Sequence, residues 1–187
     1  LERSRRIIRD LRREKEDSEA GARLEKAREK FHGMSAGAIG TLRASDGNAL
    51  QRWAVEETRL GIPFLFNSEG LHGASVPNGT VFPQQIGLAS TFEPELAWKM
   101  GHAIAAESRG SGIHEVWSPV MDLMRDPRFG RTEEGYGEDT FLSAEFARQG
   151  VLGMQGDDLT APDAVISEPK HYAAYGSPVA GLNCSPS

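Results

Sequence analysis

The sequence predicts an α/β chain built on a parallel sheet, and three observations predict it. Short apolar runs at residues 63–66, 116–121 and 164–167 have the length of buried strands and begin roughly 50 residues apart. Between each successive pair lies a stretch whose apolar residues recur at helical spacing, which is the pattern of βαβ units. Each run is also followed at once by chemically able residues: Glu69 and His72, then Asp122 through Arg131, then Lys170 and His171. In parallel sheets and β/α barrels, active sites gather at the carboxyl ends of strands, because the loops there vary without disturbing the core.

Taken in order, residues 1 to about 31 are dense in charge and rich in Glu, Arg, Lys, Ala and Leu, a composition that favours helix. Leu1, Ile7, Ile8, Leu11 and Leu24 form only a thin apolar stripe, so a solvated helix or partly disordered arm is expected. A helical stretch around Leu50, Trp53, Ala54 and Leu60 runs to Gly61 and leads into the first strand. Pro94 suits the first turn of the next helix, and Leu96, Ala97, Met100, Ile104 and Ala105 share one face of it until Gly110 and Gly112. Asp139 is the expected N-cap of a third helix, with Leu142, Phe146, Ala147, Val151 and Met154 on one face before Gly156. The expected division is a helical arm and lead-in over 1–45 and the α/β body over 46–187.

Composition narrows the function. Of 187 residues, 39% are apolar and 26% charged, which excludes a disordered, collagen-like or coiled-coil chain. A net charge of −6 argues against nucleic acid as a partner, since phosphate recognition needs a surplus of Lys and Arg. The single Cys184 allows no intramolecular disulfide and no Cys-rich zinc motif. No apolar run approaches the roughly 18 residues of a membrane span, so no membrane partner is expected, and the N-terminus lacks the apolar core of a signal peptide. Because the chain opens on Leu1, it is expected to be a processed, trimmed or partial product.

Three clusters carry candidate chemistry. The segment from Arg125 to Arg131, with Glu133, Glu134, Glu138 and Asp139 after it, is a structured loop whose arginines suit either a salt-bridge network or a ligand, and spacing does not say which arginine would face one. Glu69 and His72 stand three residues apart among glycines, where His72 serves either as a hydrogen-bonded strand-end histidine or as a ligand group. A metal site would need a third ligand, which neither His102 nor His114 supplies in an obvious way, so no metal or other cofactor is expected. Lys170 and His171, directly after the third strand, favour a functional reading, since a buried Lys is costly without a carboxylate or ligand oxygen. Neighbouring Lys and His donors with an acid opposite suit vicinal hydroxyls, and no glycine-rich phosphate loop opens any helix.

Five ordered blocks between roughly Asn48 and Gly176 carry a resemblance: TRLGIPFLF at 58–66, EGLHG at 69–73, FPQQIGLA at 82–89, SPVMDLMRDPRFGRTEEGYGED at 118–139 and PKHYAAYG at 169–176. The sequence resembles the N-terminal catalytic domain of glycoside hydrolase family 3. The resemblance implies part of a (β/α)8-type TIM barrel, its first strands and helices, over residues 46–187. It implies an enzyme that hydrolyses terminal non-reducing β-D-glucosyl residues with retained configuration, a β-xylosidase being the alternative within the family. By the same match, Glu69 (usually an Asp, here one methylene longer), Arg131, Lys170 and His171 hold the terminal sugar: Glu69 accepts from a distal hydroxyl and the other three donate. His72, Arg125 and Asp122 are supporting residues.

A retaining glycosidase needs two carboxyl groups about 5 to 5.5 Å apart. The resemblance implies that the nucleophilic Asp and the acid/base lie beyond Ser187, so no catalytic residue is expected in this chain, and alone it is expected to be inactive. Three strands cannot close a barrel, so the remainder of the barrel and a second domain, or self-association through an open edge, are expected partners beside a β-linked glucoside or xyloside. A secreted or periplasmic parent is expected. Two rivals stay open: a carbohydrate-binding protein without catalysis, and an unrelated α/β hydrolase using His72 and His171 on a metal.

Overall fold

The computed structural model describes residues 21–35, 37–40, 43–173 and 175–185, so the first 20 residues of the expected helical arm lie outside it. Chain contacts divide the molecule into two units, residues 1–66 and 67–187.

In the first unit, residues 21–30 are helical (α1), in keeping with their composition. A two-residue strand, Ala38–Ile39 (β1), pairs in parallel with Leu65 and Phe66. Helix Ala44–Glu56 (α2) buries Leu50, Trp53 and Ala54, the spacing expected of an amphipathic helix. Trp53 packs against Phe64, whose ring lies 6.0 Å from that of Phe66. The Gln51 side chain donates to the Phe64 carbonyl at 3.0 Å and accepts from its N–H at 2.7 Å, supplying the strand entry with hydrogen bonds that no neighbouring strand makes.

Strand Leu65–Glu69 (β2) continues into the second unit, where Asn67, Ser68 and Glu69 pair in parallel with Glu115–Trp117 (β3). Ile166–Ser167 (β4) pairs in parallel with β3 on its other side. Between these strands run a short helix Gln85–Ala89 (α3), then Glu95–Gly110 (α4) and Thr140–Gln155 (α5). Strand and helix therefore alternate as expected. The strands start two residues later than the apolar runs at 63–66 and 164–167, because Phe64, Ala164 and Val165 are buried ahead of the point where a neighbouring strand supplies ladder partners. Asp139 caps α5 as expected, its carboxylate accepting from Leu142 N–H at 2.7 Å.

The core of this unit lies between the sheet and helices α4 and α5: Ile104, Val116, Phe146, Met154 and Val165 are all buried. Tyr136 is buried as well and receives a hydrogen bond from the Gln85 amide at 3.3 Å; burial pushes its phenol well above the ordinary range, so it stays neutral. Close approach of α4 and α5 depends on glycine. A Cβ at Gly101 would stand 2.6 Å from the Gly150 carbonyl oxygen, and one at Gly153 would run into the carbonyl of Trp98. Gly70, just past β2, has no room for a side chain beside Val116.

Gly153→Ala must separate the two helices, and overpacking of this kind costs about 1–3 kcal/mol. The expected result is a lower urea midpoint with an unchanged slope; an unaltered midpoint would mean that the helices do not meet as described.

Candidate functional site

The second unit brings the polar clusters together at the carboxyl ends of its strands. Glu69 is the last residue of β2. Lys170 lies three residues past β4, where its backbone still follows the sheet: its N–H donates to the Pro119 carbonyl at 3.0 Å and its carbonyl accepts from Met121 N–H at 2.8 Å. The Lys170 ammonium donates to both Glu69 carboxylate oxygens, at 2.8 and 2.6 Å, across 101 residues of sequence. Lys170 is 15% exposed and Glu69 44% exposed, so the pair has one face in the protein and one toward solvent. A lysine in that position is stabilised by the carboxylate it meets.

His171, the next residue, turns to a different acid. Its Nδ1 lies 2.6 Å from Asp122 Oδ2, and the Asp122 side chain is 2% exposed. The imidazole meets the Tyr175 ring edge-on with centroids 4.5 Å apart. Tyr175 in turn packs against Phe129 and belongs to an apolar cluster of Val120, Met124, Phe129 and Leu71 beneath the site.

Arg131 reaches the same tyrosine from the loop after β3. Its guanidinium donates to Tyr175 OH at 3.3 Å and lies over the ring, 5.4 Å from its centroid. The other edge forks onto Glu134, with Nε–Oε1 at 2.8 Å and Nη2–Oε2 at 2.5 Å. The Glu134 hydrogen bond is the largest cause raising the Arg131 pKa, so its positive charge is permanent. Arg128 behaves differently and folds back onto Asp126, at 3.0 and 2.7 Å. The choice between arginines that spacing left open is thus made by which carboxylate each one finds.

Glu69, Lys170, His171 and Arg131 therefore form one series of contacts, through the Lys170–His171 backbone and through Tyr175. Asp122 belongs to it as the partner of His171. His72 is half-buried; its carbonyl accepts from Phe82 N–H at 2.7 Å and ties residues 70–82 together, while its Nδ1 is buried without a hydrogen-bond partner among the described residues. Arg125 is exposed and lies outside the series, its backbone N–H bonded to the Leu123 carbonyl. Tyr175 and Glu134 were not candidates for the sugar-holding set. Their only local signal is membership of the blocks at 169–176 and 118–139, since both act through partners that folding supplies. Among the described residues, no three His, Cys, Asp or Glu side chains are grouped to hold a metal ion.

Parallel strands with helices between them, and a charged cluster at their carboxyl ends, define part of a β/α-barrel protein. The chain belongs to glycosyl hydrolase family 3: the model of that family's N-terminal domain matches residues 6–184. A putative β-xylosidase of Formosa agariphila is 37% identical over 142 residues, covering 75% of this chain and 19% of the relative. A periplasmic β-glucosidase of Salmonella typhimurium is 36% identical over 154 residues, covering 82% and 20%. Among solved structures, a mutant β-glucosidase from Listeria innocua in complex with laminaribiose superposes with a TM-score of 0.75 at 37% identity, over 80% of this chain and 21% of that one. A β-glucosidase from Erythrobacter marinus gives 0.78 at 30% identity, over 87% and 23%. The chain thus spans about a fifth of the length of the relatives it matches.

The contrast between the two arginines is open to measurement. The hydrogen bonds from Arg128, first from its side chain and then from its backbone, hold the Asp126 carboxyl at about 2. In Arg128→Ala, which removes the side-chain bonds but keeps the backbone N–H, a carboxyl-detected NMR titration is expected to find the midpoint moved up but still short of about 4, the ordinary aspartate range. No movement would mean that Arg128 does not hold Asp126.

Proposed function

We propose that this chain supplies the terminal-sugar subsite of a retaining, exo-acting β-glucosidase. The observation that carries the reading is the convergence of Glu69, Lys170, His171 and Arg131 at the strand ends, where acceptors and donors stand close together. Charged donors and acceptors hydrogen-bond to a polyol more strongly than neutral ones. Their charges are already paired, which suits a neutral sugar.

The attacking carboxylate is assigned to a segment of the whole protein other than these 187 residues. Glu69, Asp122, Asp126 and Glu134 are each already engaged, by Lys170, His171, Arg128 and Arg131 in turn. A groove lined by Met121, Leu123, Ala144, Ala147, Val151 and Pro169 is where we place further β/α units of the whole protein. Two of the relatives are named as periplasmic, which supports a secreted or periplasmic location for it.

A second reading, β-xylosidase, has support of its own. Several of the relatives are named β-xylosidases. Glu69 is also one methylene longer than the Asp usual at this position, and its carboxylate takes up space beside Lys170 that a shorter residue would leave to a hydroxymethyl group.

Isothermal titration calorimetry of the chain with glucose and xylose tests both readings. Binding of either sugar is expected, and Lys170→Met is expected to weaken it by about tenfold or more, as for loss of a charge-assisted hydrogen bond. Absence of heat with both sugars, from protein shown to be folded, would overturn the subsite. Under the xylosidase reading, Glu69→Asp shifts preference from xylose toward glucose; under the glucosidase reading it leaves glucose preferred, as before. Turnover of nitrophenyl β-glucoside by the 187-residue chain alone would overturn the assignment of the nucleophile.

A further inference from the structure

Asp122 stands apart from the other carboxylates of the cluster because solvent scarcely reaches it: its side chain is 2% exposed. An ionised carboxylate out of water needs hydrogen-bond donors. Among the described residues, the donor it is given is the ring of His171, with Nδ1 at 2.6 Å from Oδ2. Lys170 cannot serve, because its ammonium is turned to Glu69, and Arg131 is forked onto Glu134. A carboxylate only accepts, so the proton between the two groups resides on Nδ1. One ring nitrogen's hydrogen bond sets the role of the other, and a neutral imidazole protonated at Nδ1 carries a lone pair at Nε2.

The ring is held in that orientation from a second side. Tyr175 meets it edge-on at 4.5 Å, and Tyr175 is itself fixed by Phe129, by Arg131 and by donation from its hydroxyl to Asn183 Oδ1 at 2.6 Å. His171 is 31% exposed, so part of the ring remains open to a ligand.

We propose that Asp122 is a positioning residue that holds His171 in its Nδ1–H form, so that Nε2 meets the sugar as a hydrogen-bond acceptor. This rests on the sugar-subsite reading and changes the role expected for His171, from donor to acceptor. It gives the cluster two kinds of contact. Lys170 and Arg131 only donate, while Glu69 and His171 accept. A hydroxyl whose oxygen accepts from Lys170 can then donate its own proton to Nε2. A sugar hydroxyl satisfies both demands, whereas an ether or a fluorine at the same position accepts but has no proton to give.

Long-range proton–nitrogen NMR of the nitrogen-15-labelled 187-residue chain reads the protonation of each ring nitrogen directly. His171→Gln identifies the signals by their disappearance. The expected result is a protonated-type Nδ1 and an unprotonated-type Nε2 for His171. A protonated Nε2 in the unaltered chain would overturn the proposal without any variant. In Asp122→Ala, with the fold checked by the remaining amide spectrum, His171 is expected to revert to the Nε2–H form; retention of the Nδ1–H form would overturn the role of Asp122. Glucose is then added to the unaltered chain, and a shift of the Nε2 resonance is expected. Shifts at other site residues with Nε2 unmoved would overturn the acceptor role. No shift anywhere in the site would instead overturn the sugar subsite and the ligand half of this proposal, while the form of the ring is read independently.

Discussion

The site is organised by the need to neutralise a lysine at the mouth of a parallel sheet. Lys170 lies three residues past the end of β4 with its side chain 15% exposed, and its charge would be left largely out of water without a partner if no acid met it. Glu69 meets it from the end of β2, and β3 lies between those strands. The ion pair therefore spans the carboxyl ends of two strands that are not neighbours. With Lys170 anchored there, the next side chain along the chain is delivered to the buried Asp122, and Tyr175 follows to close over the apolar cluster and receive Arg131.

Pairing of this kind also sets the character of the site. Lys170 has Glu69, His171 has Asp122, and Arg131 has Glu134. A phosphate would meet three acids among these cations, whereas a neutral polyol can exchange hydrogen bonds with each pair without separating charge. Arg128 and Asp126 show the alternative outcome on the same loop, a pair that satisfies itself over two residues and turns to solvent.

Legibility in the sequence followed the range of the interaction. Helices α4 and α5 could be read closely, because their apolar residues repeat over 16 residues and their ends carry Pro94 and Asp139. The strands were recognised as apolar runs, but their limits moved, since hydrogen bonding to a neighbour and not apolarity decides where a ladder starts. Strand β1 and helix α3 were missed. Two residues among glycines and five residues of mixed polarity are too short for any period to show.

By itself, the sequence determined the α/β class, the main order of strand and helix, and the placing of Glu69, Arg131, Lys170 and His171 at or beyond the carboxyl ends of strands, because these depend on local periodicity and on motif. Only the tertiary structure decided that Lys170 takes Glu69, that His171 takes Asp122, and that Arg131 and not Arg128 reaches Tyr175. Those partners lie 44 to 101 residues apart in the chain. An ion pair or hydrogen bond acts over a few ångströms, so its partner exists only once the sheet has brought distant strand ends side by side.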